Sequence, residues 1–104
     1  MVSKIIIKRR FTEGKTRQIV ALLNELRARA MHQPGYISGE TFSQKGYPHN
    51  MVIIGTWQSM EDWHRWRDSP ERHKFEDMLE LYQERPTDYE EYFLGTPFMV
   101  DEDR

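Results

Sequence analysis

Ile5-Ile6-Ile7 is a consecutive β-branched run set between Ser3-Lys4 and Lys8-Arg9-Arg10. It predicts a strand over residues 3 to 11 with apolar neighbours on both faces. After Thr12-Glu13-Gly14 the period lengthens: Ile19, Leu22, Leu23, Leu26 and Ala30 recur at helical spacing. This predicts an amphipathic helix from about Lys15 to Met31, ended by His32-Gln33-Pro34-Gly35. Tyr36 to Lys45 alternates as a second strand, with Tyr36, Ser38, Glu40 and Phe42 on one side and Ile37, Gly39, Thr41 and Ser43 on the other. Gly46-Tyr47-Pro48-His49-Asn50 reads as a turn, and Met51 to Trp57 as a third strand, apolar on both faces and therefore central. The second and third strands should form an antiparallel hairpin.

Ser59-Met60-Glu61-Asp62 resembles a capping box that opens a helix carrying Met60, Trp63 and Trp66 on one side. Asp68-Ser69-Pro70 interrupts it, with Ser69 suited to a cap and Pro70 to a first helical position. A further helix, with Phe75, Met78, Leu79 and Tyr82 on one face, runs to about Gln83 before Arg85-Pro86 stops it. Tyr89 to Leu94 is the last strand, and residues 96 to 104 a tail ending in Asp101-Glu102-Asp103. The order β-α-β-β-α-β, with a broken second helix, predicts an α+β ferredoxin-like sandwich with its helices on one sheet face. Residues 1 to 104 are read as one domain, with a core from about residue 3 to 95. The other face of the sheet, apolar at strands one and three, exceeds what a soluble monomer normally exposes. A homodimer joined through that face is the expected remedy.

Composition narrows the function. The 104 residues carry 15 basic and 17 acidic side chains, a net charge of −2. A pI near 6.1 gives no electrostatic footprint for nucleic acid. The run Lys8-Arg9-Arg10 reads as exposed strand-end charge. Absence of cysteine excludes disulfides, thiolate nucleophiles and cysteine metal sites. No stretch approaches the roughly 18 apolar residues of a membrane span, nor the about 7–15 of a secretory core, so a cytoplasmic location is expected. His64 with Asp68, and His73 with Asp77, have the spacing of helix surface pairs, and no spacing forces three ligands onto one metal. Arg67 and Arg72 are of the type that orients an anionic substrate, but beside Asp68 and Glu71 they read rather as solvated pairs.

All three tryptophans, Trp57, Trp63 and Trp66, fall within ten positions. They are either core anchors or the walls of a site for something flat and apolar. The run Pro34-Gly35-Tyr36-Ile37-Ser38-Gly39-Glu40, the segment Thr56-Trp57-Gln58-Ser59-Met60-Glu61-Asp62-Trp63, and then Trp66 and Ser69-Pro70-Glu71-Arg72 resemble the antibiotic biosynthesis monooxygenase domain family over residues 3 to 95. The resemblance implies a dimeric α+β barrel with a pocket between sheet and helices in each subunit. It also implies three functional readings.

In the first, the chain oxidises a small flat aromatic, a phenol or quinol, without metal or flavin. Trp57, Trp63, Trp66, Tyr36 and Ile53 would bind the ring, and His73 or Arg72 would be the polar catalytic partner. Cofactor-independent relatives tend to carry an asparagine at the place of Ile53 and a tyrosine at that of Trp63, so this chain departs from them there. In the second reading the domain is a non-catalytic dimeric module whose aromatics are simply core, with no cavity larger than a few waters. In the third it binds and degrades haem. Trp66 fits that pattern, but Glu76 stands where the axial histidine is expected and Arg9 where an asparagine is. His73, one turn before Glu76, is the remaining candidate ligand.

Overall fold

The computed structural model describes residues 1–96; the acidic tail expected from the sequence lies largely outside them. Four strands, β1 (Ser3–Arg10), β2 (Tyr36–Gln44), β3 (Tyr47–Trp57) and β4 (Asp88–Phe93), form one antiparallel sheet in the order β2-β3-β1-β4. Helices α1 (Thr16–Ala30), α2 (Met60–Arg67) and α3 (Pro70–Glu80) complete the α+β fold. This is the ferredoxin-like order read from the sequence.

Registry explains which side chains meet the helices. Ile5 pairs with Gly55, Ile7 with Ile53 and Arg9 with Met51, so these six share one face. Ile5, Ile7 and Arg9 are buried there, in a core that includes Ile19, Leu26, Phe75 and Leu79. Ile6, Val52 and Ile54 lie on the opposite face and are only half-buried, while Phe42 and Tyr92 on that face are exposed. The sheet is therefore apolar on both sides, as the consecutive isoleucines implied.

Two boundaries and one registry differ from expectation. β3 begins at Tyr47, because Lys45-Gly46 suffices for the turn and Gln44 pairs with Tyr47. The third helix ends at Glu80, three residues early: the Thr12 N–H donates to the Tyr82 carbonyl (2.7 Å) and the Glu84 N–H to that of Arg10 (2.8 Å), drawing the chain alongside the end of β1. In β2 the registry slips, Tyr36 pairing with Trp57 but Ser38 with Thr56. Ile37 is the extra residue of this bulge and points to solvent. The slip moves Tyr36 off the side of Ser38, Glu40 and Phe42 and onto that of Gly39 and Thr41, facing the helices.

Both serine caps form. Ser59 Oγ accepts from the Asp62 N–H (3.1 Å) and Ser69 Oγ from the Arg72 N–H (3.1 Å), with Pro70 at the start of α3. Gly35 has φ +84°, and a Cβ there would fall inside the Asp62 carboxylate. Only glycine lets the start of β2 pass this close to the α2 N-terminus, where Gln58 N–H donates to the Gly35 carbonyl (2.7 Å).

Candidate functional site

A cavity of about 300 Å³ lies between α1 and the helix-facing side of the sheet. Paired glycines help make it. Gly39 and Gly55 sit opposite one another in β2 and β3, on the face that looks toward α1, so no side chain rises from the floor at that pair. A Cβ at Gly39 would stand too close, 2.8 Å from the Tyr36 hydroxyl, whereas one at Gly55 would meet Trp57 Nε1 at 3.4 Å, the edge of ordinary contact. From α1, Leu23, Leu26 and Ala30 supply apolar wall. Val20, Asn24, Arg27 and Thr41 also line the space and are exposed, which marks the side where it meets solvent. There Arg27 Nη2 donates weakly to the Gly39 carbonyl (3.4 Å), from helix to sheet.

The inner wall is aromatic. Trp57, Trp63 and Trp66 all line the cavity and are each no more than 3% exposed. They are core anchors and cavity wall at once, because each ring packs with part of its surface and leaves the rest facing the space. Tyr36 meets Trp57 edge-on at 5.3 Å, Trp57 lies 5.9 Å from Trp63, and Trp63 6.2 Å from Tyr89. These separations fall in the favourable range for aromatic pairs. The Trp63 indole N–H is directed away to Glu91 Oε2 (2.6 Å), which also meets His64 Nε2 (3.0 Å) and Arg67 Nη1 (3.3 Å). This ties α2 to β4 and fixes the indole's orientation.

Behind the indoles lies a buried charge cluster. Arg9 and Glu76 form a bidentate pair, one of whose bonds runs from Nη1 to Oε2 at 2.8 Å; their side chains are 1% and 8% exposed. Arg72 Nη2 lies 3.0 Å from Glu76 Oε1 and donates to the Tyr89 hydroxyl (3.0 Å), while its guanidinium sits over the Trp63 and Tyr89 rings at 5.1 and 5.3 Å. Burial alone would push the Glu76 carboxyl up; hydrogen bonding and charge from Arg9, with Arg72 and His73 behind it, outweigh this and hold it below its ordinary value. Arg9 also donates to Gln83 Oε1 (3.2 Å) and Thr87 Oγ1 (3.3 Å). Its Nε–H is buried without an acceptor among the described residues.

Of the residues singled out from the sequence, Trp57, Trp63, Trp66, Tyr36, Ile53 and Arg72 line this one cavity. His73 does not: it is exposed and outside the lining, because α3 turns Arg72 and Phe75 inward and His73 out. Arg72 is not a solvated partner of Glu71, being 3% exposed; Glu71 instead takes Arg29 (3.0 Å). Arg67 does pair with Asp68 (2.8 Å), leaving His64 to Glu91 rather than Asp68. Tyr92 lies on the far face of the sheet. The reading of Lys8-Arg9-Arg10 as three exposed charges fails at Arg9, whose parity is that of Ile5 and Ile7.

Haem does not fit these side chains. The position implied for its axial ligand is Glu76, whose carboxylate is engaged by two guanidiniums, and no histidine lines the cavity. Among the described residues no three histidine, cysteine, aspartate or glutamate side chains gather closely enough to hold a metal ion.

The chain is thus an α+β sandwich with an apolar pocket between its sheet and long helix. Residues 3–78 match the antibiotic biosynthesis monooxygenase family, and the chain belongs to it. No curated protein matches it in sequence. Solved structures share its fold. A conserved protein from Methanosarcina mazei Go1 superposes with a TM-score of 0.82 at 13% identity, over 88% of this chain and 91% of its own. SnoaB, a cofactor-independent oxygenase from Streptomyces nogalater, gives 0.78 at 12% identity, over 92% and 96%. A putative antibiotic biosynthesis monooxygenase from Nitrosomonas europaea gives 0.80 at 12% identity, over 88% of each chain.

Proposed function

We propose that this chain binds a small flat phenol or quinol in the cavity beneath α1 and promotes its reaction with dioxygen without metal or flavin. The observation that carries the reading is the cavity itself: about 300 Å³, walled by three indoles, with Arg72 on its inner side. Its volume is at the small end of the roughly 300–1,000 Å³ range of small-molecule sites. It is far larger than the few waters expected if the aromatics were only core. Family membership and the shared fold with a cofactor-independent oxygenase support the chemical class.

An ionised electron-rich phenol can itself reduce dioxygen. For a two-ring phenol, one oxygen atom replaces the ring hydrogen para to the hydroxyl as a carbonyl. The other leaves as water with the two hydrogens released, and all four electrons come from the substrate. The protein's part is to exclude bulk water, hold the ring against Trp57, Trp63 and Trp66, and stabilise the phenolate oxygen through Arg72. Ile53 offers no hydrogen bond beside Trp57, so that task falls to Arg72.

The functional unit is proposed to be a homodimer joined through Ile6, Val52, Ile54, Phe42 and Tyr92 on the outer sheet face, where the apolar surface is left uncovered. The test of the chemistry is incubation with 1-naphthol under ¹⁸O₂ in the presence of a chelator. Naphthoquinone carrying one ¹⁸O, formed faster than without protein, is expected. Saturable tryptophan quenching with no product above background would leave a binding module and overturn the oxygenase reading.

A further inference from the structure

The cavity has a charge asymmetry that an apolar substrate does not explain. Among the described residues that line it, three are arginines, Arg9, Arg27 and Arg72, and none is acidic. At the inner side, two buried guanidiniums face one carboxylate, Glu76, which lies behind the wall. The other groups in contact with this cluster, Gln83, Thr87 and Tyr89, are neutral partners. Glu91, the acid that holds the Trp63 indole N–H, is shared with His64 and Arg67. His73, which acts on Glu76 from the exposed side, can only add positive charge.

Arg72 also has donors to spare. Its protein partners among the described residues engage only Nη2, so the Nε–H and both Nη1 hydrogens are uncommitted on a residue that is 3% exposed and lines the cavity. Two nitrogens of one planar guanidinium are the geometry that receives a carboxylate or another delocalised oxyanion. In so apolar a setting an uncompensated cation is costly, and a ligand of opposite charge removes that cost.

We propose that the inner end of the cavity is an anion site, in which Arg72, with Arg9 behind it, selects a flat aromatic that bears one delocalised negative oxygen group. The site rests on the cavity being a ligand site, as above, but not on oxygenation: an aromatic carboxylate with no oxidisable hydroxyl should occupy it. Arg27 at the solvent side favours entry of the same charge.

The experiment compares 2-naphthoate with the neutral, near-isosteric 2-naphthamide by tryptophan-quenching titration of the full chain at pH 7. Naphthoate is expected to bind about tenfold tighter or more, the scale of one charge-assisted hydrogen bond. Arg72→Gln and Arg9→Gln should each erase most of that ratio, and the exposed Arg17→Gln should leave both affinities unchanged. Thermal melts check that the variants fold, and the wild-type ratio stands as a test if one does not. Equal affinity for the two ligands, or a preference that survives Arg72→Gln in a folded protein, overturns the anion site. A clear naphthoate preference without quinone formation from 1-naphthol overturns oxygenation and leaves the anion site standing. Silence from both ligands overturns the two together.

Discussion

Glu76 should matter more to stability than either arginine it holds, and the asymmetry follows from geometry. In Glu76→Gln the shape is kept but the charge between Arg9 and Arg72 disappears, leaving two guanidiniums, 1% and 4% exposed, as unscreened like charges. Breaking a buried pair from one side costs about 3–5 kcal/mol. In Arg9→Met the carboxylate keeps Arg72 at 3.0 Å, and the unpaired Nε–H of Arg9 vanishes with the side chain. Its loss should be nearer the roughly 1.5–3 kcal/mol of charged hydrogen bonds, reduced by relief of that orphan donor. Against a total of about 5–15 kcal/mol, the glutamine variant forfeits a large share of stability, on the order of 15–30 °C in melting temperature. Urea unfolding at pH 7, followed by tryptophan fluorescence at fixed protein concentration, ranks the two. Protonation does to the wild type what the substitution does. The Glu76 carboxyl is held below its ordinary 4.5, so its stabilisation is fully present above that pH and is lost as pH falls through the lower folded value. The glutamine variant should lack that part of the acid limb. Equal costs for the two variants, or a loss below about 1 kcal/mol for Glu76→Gln, would refute the assignment of a buried, charge-compensating carboxylate.

Other consequences are open to simple measurement. Gly55→Ala should leave stability equal or raise it by about 0.5–1 kcal/mol, since its Cβ meets Trp57 Nε1 at the edge of ordinary contact. Gly55→Leu should fill the cavity floor and weaken 1-naphthol binding at least about tenfold in a quenching titration. Gly35→Ala should destabilise by roughly 1–2 kcal/mol from its φ of +84° alone, and by more as Asp62 is pushed from the α2 cap, read by urea denaturation. Ile54→Lys on the outer sheet face should convert a dimer into a species near 12.6 kDa by light scattering, with the cavity intact. A wild type already at that mass would refute the paired arrangement.

Period and punctuation made much of this legible. The isoleucine run, the helical spacing of Ile19 to Ala30, and the serine caps at Ser59 and Ser69 each dictate local structure through near neighbours, and each appears as read. The indoles were visible as a group because one helix and one strand end carry them. What could not be read depends on registry. The Gly39–Gly55 pair that opens the floor is 16 residues apart in sequence, and its alignment is set by the registry shift beside the turn, where Gln44 pairs with Tyr47 but Ser43 with Met51. The Arg9–Glu76 pair spans 67 positions. Half of its signal was available: Arg9 continues the inward parity of Ile5 and Ile7, although flanking Lys8 and Arg10 disguise it as surface charge. His73 was attractive for its chemistry, but Arg72 beside it takes the inward direction on α3, anchored by Glu76 and the Trp63 face.

A crystal structure of the chain grown with 2-naphthoate addresses the central claim most directly. The ring is expected between α1 and the Gly39–Gly55 floor, against Trp57, Trp63 and Trp66, with its carboxylate on Arg72. Indoles closed upon one another with no room between them, or the ligand seated only on the outer sheet face, would contradict it.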